Sequence, residues 1–183
     1  MKKDEDQMRP ISSPWFCYMG LLVASLFFRW GACYRDIYQT DCNGVSNCYK
    51  QCPNGWVFYK DTCYGFFPDN VPWAEAEVRC FQHNYGHLVS ILDKEEMKIV
   101  GKLVDSRNED SDYIWIGLHD PQQNRRWRWI DQSISSYRAW GWNEPDNNGG
   151  NEFCVSLSSN RGFKYWNDAD CSLEMAYVCK YPL

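Results

Sequence analysis

Cysteine is the residue type that most constrains how this chain can fold. The 183 residues include ten cysteines, ten tryptophans and twelve tyrosines. Such a composition is typical of disulfide-linked domains in oxidising, extracellular compartments. Thiolate metal sites are the alternative, and they need repeated cysteine pairs about two to four residues apart. Because just Cys48 and Cys52 approach that spacing and no histidine lies near them, the cysteines predict structural disulfides.

Length and charge limit the remaining possibilities. The chain is long enough for one domain with its own hydrophobic core and an additional N-terminal segment. Its 19 basic and 24 acidic residues give a net charge of −5. The basic residues are scattered apart from Arg125, Arg126 and Arg128, which we interpret as part of a solvated loop. A nucleic-acid partner is therefore not expected.

Residues 1–32 predict entry into the secretory pathway as a signal peptide or a signal-anchor. Residues 1–9 are polar and charged, and residues 11–28 carry no charge. The apolar part is shorter than the ~20 residues that span a membrane and closer to a signal-peptide core. Trp30 is a poor residue for cleavage after Ala32. We favour a secreted protein, and the alternative is a type II plasma-membrane protein with its folded domain outside.

Residues 33–51 predict a cysteine-rich neck, since they have no periodic apolar pattern. Loss of Cys17 with the leader would leave nine cysteines, and an odd number in a secreted protein suggests pairing between chains. A disulfide-linked homo- or hetero-dimer through Cys33, Cys42 or Cys48 is the resulting hypothesis.

Residues 52–183 predict a single α+β domain. A first helix is predicted at residues 69–84. A second helix begins with the capping-box spacing of Asp93 and Glu96 and ends near Ser106. Short strands are predicted at 57–59, 62–67, 87–91, 113–118, 127–130, 153–157, 163–166 and 175–180. Pro72 suits the first turn of the first helix, with Asp69 or Asn70 as its cap. Gly117 predicts a close backbone approach.

A long loop, residues 137–151, and the segment that follows it contain the best candidates for function. Long loops in compact domains are usually functional or disordered, and Tyr137, Trp140 and Trp142 favour order. Hard oxygen ligands suited to Ca²⁺ are concentrated here. They are Glu144, Asp146, Glu152, Asn167 and Asp168.

Several motifs resemble those of the C-type lectin-like domain in its long form, over about Cys52 to Tyr181. They are Trp115-Ile-Gly-Leu118, Glu144-Pro-Asp146, Trp166-Asn-Asp168 and the cysteines Cys80, Cys154, Cys171 and Cys179. The resemblance implies two helices, short antiparallel sheets, a long calcium-binding loop, and disulfide pairs Cys52–Cys63, Cys80–Cys179 and Cys154–Cys171. The Trp-Ile-Gly-Leu-His and Trp-Arg-Trp segments are also similar to the small secreted lectins of the regenerating-protein, eggshell-matrix and snake-venom types.

The resemblance also implies a role for each oxygen ligand. Calcium-dependent members bind the ion at the positions that are Glu144, Asp146, Glu152, Asn167 and Asp168 in this chain. The first four would also hydrogen-bond two adjacent sugar hydroxyls that complete the coordination of the ion. Pro145 is expected to be cis. Trp115, Trp127 and Trp129 are expected in the core, with Trp166 beneath the calcium loop.

The central triplet makes the sugar preference unusual. Mannose-type relatives carry Glu-Pro-Asn and galactose-type relatives Gln-Pro-Asp, whereas this chain carries Glu144-Pro-Asp146. Two carboxylates accept hydrogen bonds but donate none, and one unsatisfied sugar oxygen costs ~1–3 kcal/mol. The acidic site disfavours sialylated or sulfated sugars, and no aromatic residue lies between Asp146 and Glu152. These features predict weak calcium-dependent binding of mannose, fucose or N-acetylglucosamine.

Two other functions remain open, and enzymatic activity is not expected. The domain could bind protein, as a disulfide-linked dimer, or belong to a mineral-associated matrix without binding sugar. The matrix hypothesis has little compositional support because no long acidic run is present. His83, His87 and His119 belong to no recognisable catalytic motif.

Overall fold

The computed structural model describes residues 51–108, 110–160 and 162–183. The predicted leader and nearly all of the predicted neck, including Cys17, Cys33, Cys42 and Cys48, lie outside these ranges. Among the described residues no helix is both long and apolar enough to cross a membrane.

The described residues form two α-helices and eight strands. In chain order they are β1 Val57–Tyr59, β2 Thr62–Val71, α1 Trp73–Phe81, β3 His87–Leu88, α2 Lys94–Asp105, β4 Tyr113–His119, β5 Arg128–Trp129, β6 Cys154–Ser158, β7 Tyr165–Ala169 and β8 Met175–Pro182. A short 3₁₀ helix, Asn148–Gly150, interrupts the long loop. The α+β class with two helices is confirmed.

The strands form one mixed sheet, which corrects the expectation of separate antiparallel sheets. Its order is β1-β2-β8-β4-β6-β7, with β3 paired to β8 and β5 to β4. β4 and β8 run parallel, through Ile114 opposite Ala176 and Trp115 opposite Tyr177. The other pairs are antiparallel. Since β8 follows β4 by more than 50 residues, its pairing could not be read from local patterns.

Helix α1 is shorter than predicted, because its expected start belongs to β2. Asp69 and Asn70 continue that strand, which still pairs with β8 at Val71 opposite Met175. Pro72 precedes the first helical residue and makes no side-chain cap. The helix ends before Asn84 and Tyr85, whose φ angles of 53° and 55° are left-handed.

The predicted strand at residues 87–91 is also shorter, with just His87 and Leu88 in β3. Val89 lies between two strands, since its N–H donates to Val178 and its carbonyl accepts from Gly117. The expected close approach at Gly117 is confirmed: a Cβ there would overlap the carbonyl oxygen of Leu88.

Two hydrophobic clusters form the core. One contains the predicted apolar face of α2, Met97, Val100, Leu103 and Val104, packed against β4, β6 and Trp166. The other joins Trp73 and Ala76 of α1 to Trp115 and Tyr177. Trp115 and Trp129 are buried as expected, and Trp127 is half-buried at the edge of the first cluster.

Three disulfides have the pairing that the resemblance implied. They are Cys52–Cys63, Cys80–Cys179 and Cys154–Cys171. Cys80–Cys179 joins α1 to β8 across 99 residues, a closure worth ~4–5 kcal/mol in the chain-entropy model. Cys154–Cys171 joins the start of β6 to the turn after β7, beside the candidate site.

Candidate calcium site

The long loop is anchored to β7 through Trp166. The Trp166 N–H donates to the carbonyl of Ala139, and the Gly141 N–H donates to the carbonyl of Trp166, both at 2.8 Å. The rings of Tyr137 and Trp140 meet the Trp166 ring edge-on, with centroids 5.7 and 5.6 Å away. Trp166 is fully buried, so its predicted position beneath the loop is confirmed.

Trp142 does not contribute to this packing. Its side chain is 91% exposed, whereas Tyr137 and Trp140 are half-buried. Two of the three aromatic residues therefore order the loop as expected, and the argument from Trp142 was wrong. Trp142 instead lines a concavity of about 550 Å³ together with Glu144 and Asn167.

The carboxylate of Asp168 connects β7 to the centre of the loop. Its Oδ1 accepts the N–H of Asp146 at 3.1 Å, and its Oδ2 accepts the N–H of Asn147 at 3.0 Å. Successive side chains alternate across a strand, so Asp168 is buried while Asn167 is half-buried. These bonds place the Glu144-Pro-Asp146 triplet directly against β7.

Three of the five predicted ligands converge. Glu144, Asp146 and Asp168 each offer a carboxylate oxygen, and all these atoms lie within 4.8 Å of one another. The Glu144–Pro145 peptide is cis, as expected. Such a set of hard oxygens matches the ligand chemistry of Ca²⁺.

Glu152 and Asn167 lie beside the three carboxylates and are engaged locally. Glu152 Oε2 accepts the N–H of Asn148 at 2.6 Å, and the Glu152 N–H donates to Asn147 Oδ1 at 3.0 Å. Asn167 Nδ2 donates to the carbonyl of Asp168 at 2.5 Å. The Asn167 bond uses Nδ2, so the amide oxygen can still act as a calcium ligand, and the Glu152 carboxylate has a second oxygen, Oε1, for the same role.

The electrostatics of the cluster favour a cation. Burial and the neighbouring carboxylates of Asp168 and Asp146 raise the pKa of Glu144 to about 7. Burial, opposed by the bond from Asn148, also raises the pKa of Glu152. Glu144 Oε2 is buried without a hydrogen-bond partner among the described residues. Crowded, partly desolvated carboxylates repel one another, and a divalent ion that binds between them removes this repulsion.

Arg125 is the part of the site that sequence reasoning missed. Its Nη2 bonds Asp168 Oδ2 at 2.9 Å, and its Nη1 donates to the carbonyl of Glu152 at 3.4 Å. The guanidinium also lies over the Trp127 ring, 5.1 Å from the centroid. The interpretation of the arginine cluster as solvated is therefore wrong for Arg125, although Arg126 and Arg128 are exposed.

This ion pair changes the charge balance of the site. From the sequence, the four candidate carboxylates are expected to leave the site negative even with one Ca²⁺ bound. Arg125 neutralises one of them at Asp168, whose side chain is fully buried. No local sequence pattern predicts this ion pair, because 43 residues separate Arg125 from Asp168.

Comparison with known proteins now identifies the family. The Lectin C-type domain matches residues 69–181 of this chain. The chain belongs to the C-type lectin family. This result confirms the resemblance inferred from the motifs. Members of this domain family are binding modules.

Individual relatives agree with the assignment. Lithostathine of Rattus norvegicus is 40% identical over 130 residues, which cover 71% of this chain and 78% of that protein. A crystal structure of human lithostathine superposes with a TM-score of 0.70 at 38% identity, covering 73% of this chain and 92% of that one. The cow C-type carbohydrate-recognition domain of CD23, crystallised in the presence of GlcNAc2Man3 oligosaccharide, gives a TM-score of 0.64 at 30% identity, covering 73% of this chain and 97% of that one.

Proposed function

We propose that this domain is a calcium-dependent lectin for mannose, fucose or N-acetylglucosamine. The observation that carries the proposal is the convergence of Glu144, Asp146 and Asp168 around one point, with a buried Glu144 oxygen that has no described partner. Glu152 and Asn167 complete the proposed ligand set. The cow CD23 domain, crystallised with an oligosaccharide of N-acetylglucosamine and mannose, supports this sugar class.

Each side chain has a distinct part in sugar binding. A bound Ca²⁺ supplies coordination positions for two adjacent hydroxyls of the sugar. The carboxylates of Glu144, Asp146 and Glu152 accept hydrogen bonds from those hydroxyls, whereas the Asn167 amide can donate one. Asp168 holds the loop through its two backbone hydrogen bonds. The site thus has a single amide donor where Glu-Pro-Asn relatives have two.

Trp142 extends this arrangement. Its exposed ring borders the concavity that contains Glu144 and Asn167. Aromatic faces bind apolar surface, and sugar rings carry C–H groups on one face. Trp142 therefore offers stacking surface outside the stretch between Asp146 and Glu152, where no aromatic residue occurs.

Calorimetric titration with Ca²⁺ followed by a glycan array tests the proposal. We expect one calcium site and calcium-dependent retention of mannose-type sugars that EGTA abolishes. Asp146→Asn restores the amide donor and should tighten sugar binding, by up to ~1–3 kcal/mol if one unsatisfied oxygen is rescued. The exposed Asp69→Asn is the matched control and should change neither measurement.

The two stages of the experiment separate the possible failures. Absence of calcium binding would contradict the whole proposal. Calcium binding with a galactose preference would overturn the sugar class. Calcium binding with no glycan on the array would favour the protein-binding alternative.

A further inference from the structure

A groove separate from the three converging carboxylates runs along α2. It lies between that helix and the chain segments 137–139 and 162–165, and its volume is about 630 Å³. Its walls carry five cationic side chains, which define the basic groove: Lys94, Lys98, Lys102, Arg138 and Lys164. Asp105 is the one carboxylate among its lining residues.

The cations on the helix form a row. Lys94, Lys98 and Lys102 follow each other at four-residue intervals, which places them on one face over ~12 Å of helix. Like charges at this spacing disfavour a helix, by ~0.2–0.5 kcal/mol per pair. An anionic ligand along the groove would relieve this repulsion.

Most of these charges are available to a ligand. Lys94, Lys102 and Lys164 are exposed and form no ion pair with any described residue. Lys98 pairs with Glu95 at 2.7 Å, with both side chains at least half exposed. Exposed pairs of this kind are weak and readily exchange partners.

The floor of the groove is largely apolar. Buried Met97 and half-buried Tyr137 and Ala139 lie between the cationic walls. The helix comes close to the opposite wall at Gly101, where a Cβ would lie 3.3 Å from the carbonyl oxygen of Gly162. An apolar floor between cations suits a ligand that combines flat rings with anionic substituents, as an acidic polysaccharide does.

The position of the groove favours the same ligand class. Tyr165 lines both the basic groove and the concavity that contains Glu144 and Asn167. The two surfaces therefore adjoin, and a linear polymer can pass from one to the other. Five cations line the groove although the chain as a whole has a net charge of −5, so the groove is a local basic surface, whereas nucleic-acid and membrane surfaces are usually basic over a larger area.

We infer that the basic groove binds a sulfated linear polysaccharide, independently of calcium. The lysines and Arg138 bind the sulfate groups, and the apolar floor contacts the sugar rings. The converging carboxylates repel such groups, so neutral and anionic sugars are recognised on adjacent but different surfaces.

Binding of size-defined heparin oligosaccharides to the full-length chain tests the inference. The triple variant Lys98→Gln, Lys102→Gln, Lys164→Gln should weaken binding at least about tenfold and lower the salt slope by about two to three. The control triple Lys60→Gln, Arg126→Gln, Arg128→Gln removes the same charge outside the groove and should weaken it less than about twofold. Binding should persist in EGTA and in Glu144→Gln.

Each other outcome identifies a different error. Equal loss in both triples would show that total charge, not the groove, governs binding. Loss of heparin binding in EGTA would assign it to the calcium site. Tighter groove-dependent binding of phosphatidylserine vesicles or duplex DNA would replace the polysaccharide with that ligand. Unchanged calcium titrations of the groove triple confirm that it is folded, and circular dichroism does so if no calcium is bound.

Discussion

At the scale of single residues, Arg125 and Asp168 determine how the candidate site is held together. The Asp168 side chain is fully buried and accepts hydrogen bonds from two loop N–H groups and from Arg125. A buried carboxylate is stable only when it is paired and hydrogen-bonded, and loss of its partner reduces the free energy of unfolding. Arg125 therefore stabilises the site before any metal binds.

Substitution of Arg125 should destabilise the metal-free domain more than the calcium-bound domain. Arg125→Gln removes the charge that compensates Asp168, and we expect a loss of ~1–3 kcal/mol in free energy of unfolding without calcium, because the arginine is one-third exposed. Bound Ca²⁺ supplies replacement positive charge, so the loss should shrink when calcium saturates the site. Urea unfolding in EGTA and in excess Ca²⁺ measures both values.

The exposed Arg126→Gln variant controls for the change in net charge and should behave as wild type in both buffers. An Arg125→Gln loss of equal size with and without calcium would show that the ion pair acts independently of the metal site.

The sequence identified the candidate ligands but not how each is engaged. Glu144, Asp146 and Asp168 were predictable because their motifs have fixed local spacing, and they converge. The ion pair of Arg125 with Asp168 arises from folding and has no local pattern, because 43 residues separate the two. The Asn148 N–H donates to Glu152 within one short loop, but the family spacing that marks Glu152 as a ligand does not predict this bond. Trp142 was expected inside the loop packing and is exposed, because Trp140 and Tyr137 already cover Trp166.

At the scale of secondary structure, the start of α2 joins helix to sheet. Asp93 caps the helix by accepting the Glu96 N–H at 2.8 Å, as the capping-box spacing predicted. The Glu96 carboxylate accepts hydrogen bonds from the Leu92 N–H at 2.7 Å, from Tyr64 of β2 at 2.7 Å and from Lys180 of β8 at 2.9 Å. This network fixes the N-terminus of α2 against two strands.

Removal of the cap should reduce stability by ~0.5–2 kcal/mol in Asp93→Ala. Asp93→Asn retains an accepting oxygen and should lose less at pH 7, where it lacks the charge-dependent part of the cap but keeps the hydrogen bond. The hydrogen bond from Glu96 keeps the pKa of Asp93 below its usual value. The charge-dependent part of the stabilisation by the Asp93 cap is therefore present above the unfolded pKa of about 4. It disappears as the pH falls through the folded pKa. Urea unfolding in EGTA at pH 7 and pH 3 tests both statements, and equal losses for the two variants at pH 7 would contradict them.

Element boundaries show where local patterns stop being sufficient. The capped helix α2 follows its apolar periodicity closely, and β4 follows its continuous apolar run. The end of β2 does not, since its pairing with Tyr177 and Met175 of β8 extends the strand over residues expected to begin a helix. The parallel pairing of β4 with β8 likewise depends on a strand distant in sequence.

At the scale of the whole domain, the candidate site lies where the long loop meets the β6–β7 hairpin, which the Cys154–Cys171 disulfide closes. An ion bound there would connect the loop to the sheet in the native state alone. Ligands that bind just the folded chain stabilise it by mass action, by ~2.7 kcal/mol at a concentration 100 times Kd. At that concentration calcium should therefore raise the Tm of the domain by about 5–11 °C.

The stabilisation by calcium should depend on pH in a direction set by Glu144. Its pKa of about 7 in the metal-free fold is above the ordinary value of 4.5, so the folded chain holds a proton that the unfolded chain has released. Metal-free stability therefore falls as the pH rises between these two values, and it levels off above about 7. Ca²⁺ must displace that proton, so the calcium-induced increase in Tm should grow from pH 6 to pH 8. Thermal unfolding with EGTA or Ca²⁺ at both pH values measures this growth. Glu144→Gln cannot titrate and should reduce the growth, and the part that persists is assigned to Glu152, whose pKa is also raised. A constant increment in the wild type would contradict a role for Glu144 as a calcium ligand.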